Sequence, residues 1–300
     1  MPLIGKEALT FPVLYDAPAE GWTNPPGDKM QSQTSEDLQM GNLVLSRNGP
    51  VAQIILNAPE RKNALTLADW QALPGLCKRI RDDASIRVAI LRGAGEAAFC
   101  AGADISEFQD VRASPEAAKL YDAINVAAFS AIRTLSVPVI AVIRGACLGG
   151  GLGLALACDS RIAERSSFFG IPAARLGLAY PPEALGDLLA AVTPSHAKHI
   201  LFTAERLTSQ TALQMGLVNE VIDEAELDAR VNALCKKISE NAPLSLLAAK
   251  RAINLLQSAP DRPDQLEAAF QDADTCIQSA DYAEGCRAFL EKRSPVFKGE

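Results

Sequence analysis

Two glycine-bearing loops carry the residue types from which backbone chemistry can be built. The first, Phe99-Cys100-Ala101-Gly102-Ala103-Asp104-Ile105, follows a strand-like stretch at 88–93. The second, Cys147-Leu148-Gly149-Gly150-Gly151-Leu152-Gly153, follows another at 137–143 and opens an apolar, helix-like run at 154–159. Glycine lets the backbone turn sharply and lets a ligand approach without meeting a Cβ. The first turn of a helix adds unpaired N–H groups and a dipole that favours negative charge. Two such loops can aim two backbone N–H groups at one oxygen, which is an oxyanion hole.

A further segment, 175–187, carries polar side chains. Its polar members include Arg175, Tyr180, Glu183 and Asp187, and Glu183 directly follows Pro182, where an acid also suits the first turn of a helix. Other chemistries find little support. His196 and His199 are the only histidines and no third ligand accompanies them, so no metal site is expected. A Ser–His or Cys–His pair would have to use one of these two, and no G-x-S-x-G elbow is present. Neither G-x-G-x-x-G nor G-x-x-x-x-G-K-[ST] occurs, so no dinucleotide or P-loop cofactor is expected.

The elements that must position these loops read as α/β. Leu43-Val44-Leu45 and the run 51–57 flank Asn48-Gly49, a hairpin signal. Thr66 can cap a helix carrying Trp70 and Leu73. Strand–helix alternation through 86–170 implies right-handed crossovers onto a parallel sheet, with a short strand at 167–170. Beyond Pro194 helices are expected at 194–203, 208–216, 224–240, 243–256 and 264–291. Residues 1–40 carry Pro2, Pro12, Pro18, Pro25 and Pro26 and hold no regular period, so they read as a poorly ordered extension. They lack the marks of a secretory signal or an Arg-rich transit peptide. The organisation expected is an extension at 1–40, a core at 41–240 and a helical region at 241–300.

The net charge of −7 argues against nucleic-acid partners. No apolar run approaches the ~18–20 residues of a membrane span. The seven cysteines are scattered without a C-x-x-C, which suggests reduced thiols and a cytoplasmic protein.

In their order and spacing RKNAL, AGADI, LGGGLGLALACD, FGIP, TALQMGLVNEVI and AFLEKRSPVFKG, from about Gly41 to the C-terminus, resemble the crotonase (enoyl-CoA hydratase/isomerase) superfamily. The resemblance implies a spiral of ββα units with a helical C-terminal region, assembled as a trimer or a hexamer. It implies an acyl-CoA thioester substrate, coenzyme A entering as part of the substrate rather than as a separate cofactor. The two oxyanion-hole amides map to Ala103 and Gly150. Contacts to CoA map to Arg61, Lys62 and Ala64, to Ala101, Asp104 and Ile105, and to Lys292, the last across a subunit boundary.

The resemblance breaks where hydration chemistry would sit. Adding water to an unsaturated thioester requires a base for the water and an acid for the α-carbon. The family's two glutamates for these tasks correspond here to Gly153 and Ala173, neither of them ionisable. The candidates to replace them are Glu183 and Tyr180. Glu183 lies near the carboxylate used by relatives that shift double bonds, although Pro181 occupies the commonest register. Tyr180 lies near a tyrosine of a decarboxylating branch, whose other polar residue is missing because its place is Ala103. The expectation is an enoyl-CoA hydratase/isomerase-like enzyme working through a stabilised enolate. An enoyl-CoA isomerase or acyl-CoA decarboxylase is the alternative within that class, and a non-catalytic acyl-CoA-binding protein the alternative outside it. Asp104 is expected to shape its loop, and Glu107 to face solvent or the pocket rim.

Overall fold

The computed structural model describes residues 37–258 and 263–300. It opens with three antiparallel strands, β1 (Leu38–Met40), β2 (Leu43–Asn48) and β3 (Val51–Leu56). The β2–β3 hairpin turns at Gly49, whose positive φ fits the Asn-Gly signal. The first strand lies inside the stretch assigned to the extension; the rest of that extension, 1–36, falls outside the described residues.

Helix α1 (Leu67–Arg81) follows, with Thr66 at its N-cap in a full capping box with Asp69. Trp70, Leu73, Leu76, Cys77 and Ile80 form its buried stripe. Asp69 is buried and accepts four hydrogen bonds, from the Asn42 N–H and Nδ2 and from the Thr66 N–H and Oγ1. Burial works against its charge, but these bonds outweigh burial and hold the carboxyl below its usual range. Asp69→Ala is expected to destabilise the fold by about 2–4 kcal/mol in urea unfolding, because buried donors lose their acceptor. The wild-type contribution is present above the unfolded carboxylate pKa of about 3.9 and fades as pH falls through the lower folded value. The stability gap between wild type and variant should therefore narrow in acid.

Next come β4 (Val88–Gly93), β5 (Ala98–Cys100), a short α2 (Phe108–Val111) and α3 (Pro115–Arg133). Two further turns repeat the scheme: β6 (Val139–Ile143), β7 (Ala146–Leu148) and α4 (Gly150–Ala157), then β8 (Ser160–Glu164), β9 (Phe168–Gly170) and α5 (Pro182–Ala191). In each turn the first strand joins one sheet, the second strand joins another, and a helix closes the turn. Thus β4, β6 and β8 pair in parallel, and so do β5, β7 and β9. This is the expected spiral of ββα units.

The chain continues through α6 (Pro194–Thr203), β10 (Leu207–Thr208), α7 (Ser209–Met215), β11 (Glu220–Ile222) and α8 (Glu224–Ser239). Among the described residues the large sheet runs β1-β2-β3-β4-β6-β8-β11 and the small one β10-β9-β7-β5. The β6 run Val-Ile-Ala-Val-Ile is buried throughout, as a central parallel strand requires. Most of the core lies between α1, α3, α4 and the sheets, while Leu227, Val231 and Cys235 of α8 cover the opposite face. Helix α4 is apolar all round and buried from Gly151 to Ala157, so its N-terminus emerges from the centre of the molecule.

Helices α9 (Pro243–Ser258), α10 (Pro263–Gln278) and α11 (Ala280–Glu291) complete the chain. The single helix expected over 264–291 is two, because Ser279 leaves helical geometry and caps α11 through the Tyr282 N–H. Buried Lys250 on α9 ties this region to the core, donating to Val137 O at 3.0 Å and to Asp159 at 2.7 Å. Asp159 also accepts from the Val139 N–H at 2.6 Å, so its role is structural.

Candidate active site

The RKNAL and AGADI segments are laced together by backbone hydrogen bonds. The Ala101 N–H donates to Lys62 O, the Leu65 N–H to Gly102 O and the Asp104 N–H to Leu65 O, all at 2.8–2.9 Å. Buried Asn63, with φ of 55°, bolts the first segment down: its Oδ1 accepts from the Ala58 N–H and its Nδ2 donates to Ala94 O and Ala98 O. Asp104 pairs with Arg61 at 2.8 Å and accepts from the Ser106 N–H and Oγ. The Ser106 hydrogen bonds, opposed by burial and aided by Arg61, hold the Asp104 carboxyl below its ordinary range. Asp104 thus shapes the loop, as expected. Glu107 is half-buried rather than free in solvent; it accepts from the Leu67 N–H at 2.8 Å and caps α1 from outside.

This lacing leaves the Ala103 N–H turned away, since the bridge to Leu65 uses only the neighbours' groups; it has no backbone partner among the described residues. The other candidate donor, the Gly150 N–H, opens α4, where helix geometry provides no acceptor. The two loops touch. Gly102 has a φ of +101°, and a Cβ there would lie 3.0 Å from Leu148 O and 3.1 Å from Gly150 N, so glycine is required on both counts. A Cβ on Gly150 would lie 3.9 Å from Ala103 N. Adjacent free amides of this kind can hold a developing oxyanion.

They open into a cavity of about 120 Å³. Ala101, Gly102, Ala103, Gly149 and Gly150 form one wall, with the exposed Ile105 at its lip. Phe129 and Asn125 of α3, Ala173 and Tyr180 form the others. Gly153 stands behind this lining. A Cβ there would lie 2.7 Å from Phe129 Cζ and 2.8 Å from the Tyr180 hydroxyl oxygen. The corner that a longer residue at 153 would need is therefore filled by an aromatic ring and a phenol. The Tyr180 hydroxyl is enclosed and has no hydrogen-bond partner among the described residues. Burial, helped by the charge of Asp187 and by Cys147, pushes its pKa well above that of a free phenol. It holds its proton and is a donor at neutral pH.

Glu183 is not brought into this site. It is exposed in the first turn of α5 and lines a different cavity, beside Arg133, Asp187 and Lys250. The helix start at Pro182 rotates it away from Tyr180, three residues earlier. Two cations of that second cavity are paired, Arg133 with Asp187 at 2.6 Å and Lys250 with Asp159 at 2.7 Å. Arg175 and Lys62 are exposed, Ala64 is buried, and Lys292 is exposed at the C-cap of α11; none of these lines the apolar cavity. Among the lining residues that escaped the sequence reading are Tyr121, Asn125 and Phe129. Their i, i+4, i+8 spacing on α3 was the available signal. Among the described residues no cluster of three or more metal-ligating side chains occurs, and no helix is long and apolar enough to cross a membrane.

With the fold and site in view, the comparisons agree. The sequence matches the family profile described as enoyl-CoA hydratase/isomerase over residues 46–300. It is 33% identical over 258 residues to the short-chain-enoyl-CoA hydratase of Clostridium acetobutylicum, covering 85% of this chain and 97% of that protein. It is 34% identical over 261 residues to the carnitinyl-CoA dehydratase of Proteus mirabilis, covering 86% and 98%. The crystal structure of an enoyl-CoA hydratase/carnithine racemase from Magnetospirillum magneticum superposes with a TM-score of 0.82 at 38% identity, over 87% of this chain and 97% of that one. The chain belongs to the enoyl-CoA hydratase/isomerase family and has the crotonase fold. It is an enzyme of that family, acting on CoA thioesters.

Proposed function

We propose that the enzyme generates or consumes a thioester enolate whose oxygen is held by the Ala103 and Gly150 amides, with Tyr180 as the proton donor to the carbon. The observation that carries this reading is the Gly153 corner, where the enclosed Tyr180 hydroxyl, without a hydrogen-bond partner among the described residues, would lie 2.8 Å from a Cβ at 153. Among the described residues the only carboxylate lining the cavity is Asp122, which is paired with Arg112 at 2.6 Å. A water therefore lacks a free base, and two-carboxylate hydration is disfavoured. A phenol that keeps its proton suits the quenching of an enolate. Loss of CO₂ from a malonyl-type thioester produces such an enolate without any base, so decarboxylation is the reaction class favoured within the family.

Two assays at high enzyme concentration decide between the reactions. One follows crotonyl-CoA through loss of the enoyl-thioester absorbance, the other follows CO₂ release from malonyl-type CoA thioesters. Decarboxylation without hydration is the expected result. Fast hydration would overturn the assignment of Tyr180 as sole proton donor. Binding without any turnover would leave a non-catalytic acyl-CoA-binding protein.

For the CoA moiety, Lys62 is the favoured phosphate contact. It is exposed on the loop joined to Ala101, whereas Arg61 is engaged by Asp104. Lys62→Glu is expected to raise KM about tenfold at low salt, with kcat nearly unchanged and the effect shrinking as salt is added. Ala64 and Ile105 border the CoA path in this reading. Lys292 serves it from a neighbouring subunit of a homotrimer or homohexamer.

A further inference from the structure

Among the described residues one cation lines the apolar cavity, Arg112. It ends α2, where its N–H donates to Phe108 O at 3.1 Å. Its guanidinium lies 5.4 Å from the centre of the Phe108 ring and 5.2 Å from that of Tyr121. The two rings meet edge to face at 5.7 Å. They hold the cation through cation–π attraction, whichever anion is beside it.

The anion beside it is Asp122. Its carboxylate accepts from Arg112 Nη1 at 2.6 Å and from Nη2 at 3.3 Å, so only one prong of the fork is gripped closely. The other N–H groups of this guanidinium have no hydrogen-bond partner among the described residues. The Arg112 side chain is 13% exposed and that of Asp122 is 35% exposed. The carboxylate therefore sits nearer to solvent than the cation does. An ion pair with one partner in water contributes little, because water screens it and solvates the freed acid. Asp122 can release Arg112 at small cost to a second carboxylate that arrives within the cavity.

The acyl group of a substrate can bring that carboxylate. The Ala103 and Gly150 amides lie in the wall of the same cavity, which has a volume of about 120 Å³. A thioester oxygen placed on them leaves room for only a short acyl extension. An apolar lining with a single cation suits a short acyl group that ends in a carboxylate, which arginine grips through two N–H groups. This inference rests on the decarboxylation proposed above and names what tells a malonyl-type substrate from a plain alkyl one. In that reaction the bond from the α-carbon to the carboxyl carbon breaks. Its electron pair passes into the enolate, and the carboxylate leaves as neutral CO₂. Arg112 then has no anion to hold. Its grip belongs to the ground state and acts on KM rather than on kcat.

We infer that Arg112 is the specificity-determining residue that selects carboxylate-ended acyl-CoA thioesters, with Asp122 holding its place until the substrate binds. Initial rates of CO₂ release from malonyl-CoA on the full chain test this, with propionyl-CoA as a neutral competitor of equal chain length. The KM for malonyl-CoA is expected to lie about tenfold below the inhibition constant of propionyl-CoA. Arg112→Gln should raise that KM about tenfold, leave kcat unchanged or higher, and leave inhibition by propionyl-CoA as it was. Asp122→Asn removes the competing charge and should lower the malonyl-CoA KM by up to about fivefold. A purely structural partner of Arg112 would raise it instead. Should Arg112→Gln not fold, the half-exposed Asp122→Asn still decides the matter. Equal affinity for the two thioesters would overturn the inference. So would a parallel loss of both in Arg112→Gln, or a raised malonyl-CoA KM in Asp122→Asn. If malonyl-CoA bound without turnover, the proposed reaction would fall and calorimetry would judge the subsite on the same ratios. If neither thioester bound better than CoA itself, the acyl-CoA reading and this inference would fall together.

Discussion

Gly150→Pro is expected to lower kcat about 10²–10³-fold below that of Gly150→Ala, the loss associated with one oxyanion donor. Gly150 is the first residue of α4. Proline is tolerated there, because its fixed φ suits the helix start and its missing N–H belonged to no helical bond. The helix should survive with one donor fewer. Alanine is the necessary comparison because any Cβ at this position meets Trp70, whose Cζ2 and Cη2 would lie 3.1 and 3.2 Å away. Both variants carry that crowding, and only proline removes the amide. Steady-state kinetics on one thioester, with melting temperatures of both variants, read the difference. An equal loss in the two would trace the defect to Trp70 and take the Gly150 N–H out of the mechanism.

Tyr180→Phe should lower kcat by about 10²–10⁴-fold with KM little changed, the range of a lost general acid acting in the transition state. The substitution removes one oxygen, and that oxygen has no hydrogen-bond partner among the described residues to leave stranded, so the fold should be unharmed. Because burial raises the phenol's pKa, the donor form persists as pH rises; no basic limb due to Tyr180 should appear in the kcat profile below about pH 10. Glu183→Gln, in the other cavity, should leave kcat close to wild type. Gly153→Glu should not restore a two-carboxylate site: its Cβ alone would collide with Phe129 and Tyr180, and both would have to leave the corner. If Tyr180→Phe turned over normally, the proton would have to come from elsewhere in the cavity.

The contrast between Tyr180 and Glu183 shows where sequence reasoning stops. Both were candidates, three residues apart on one loop. The loop bends into α5 at Pro182, which points one side chain into the apolar cavity and the other into solvent. Likewise, Gly153 read as the loss of a carboxylate. That its corner is filled follows from Phe129 on α3, which the spiral brings across from another turn. Glu107 looked solvent-facing because its acceptor role serves a helix forty residues earlier in the chain.

What the amino-acid order by itself determined was local. The Asn-Gly hairpin, the Thr66 cap, the alternation of strands with helices and the two glycine loops all depend on residues adjacent in the chain, where backbone sterics and hydrogen bonding act directly. The break at Ser279 was also encoded locally, in a capping residue whose signal lay within a continuous helical period. Tertiary structure alone decided that the AGADI and GGG loops meet, that Gly102 must be bare for them to touch, and that Tyr121, Asn125 and Tyr180 face one cavity. Those outcomes depend on side-chain directions set by packing between segments distant in sequence, which local propensity does not encode.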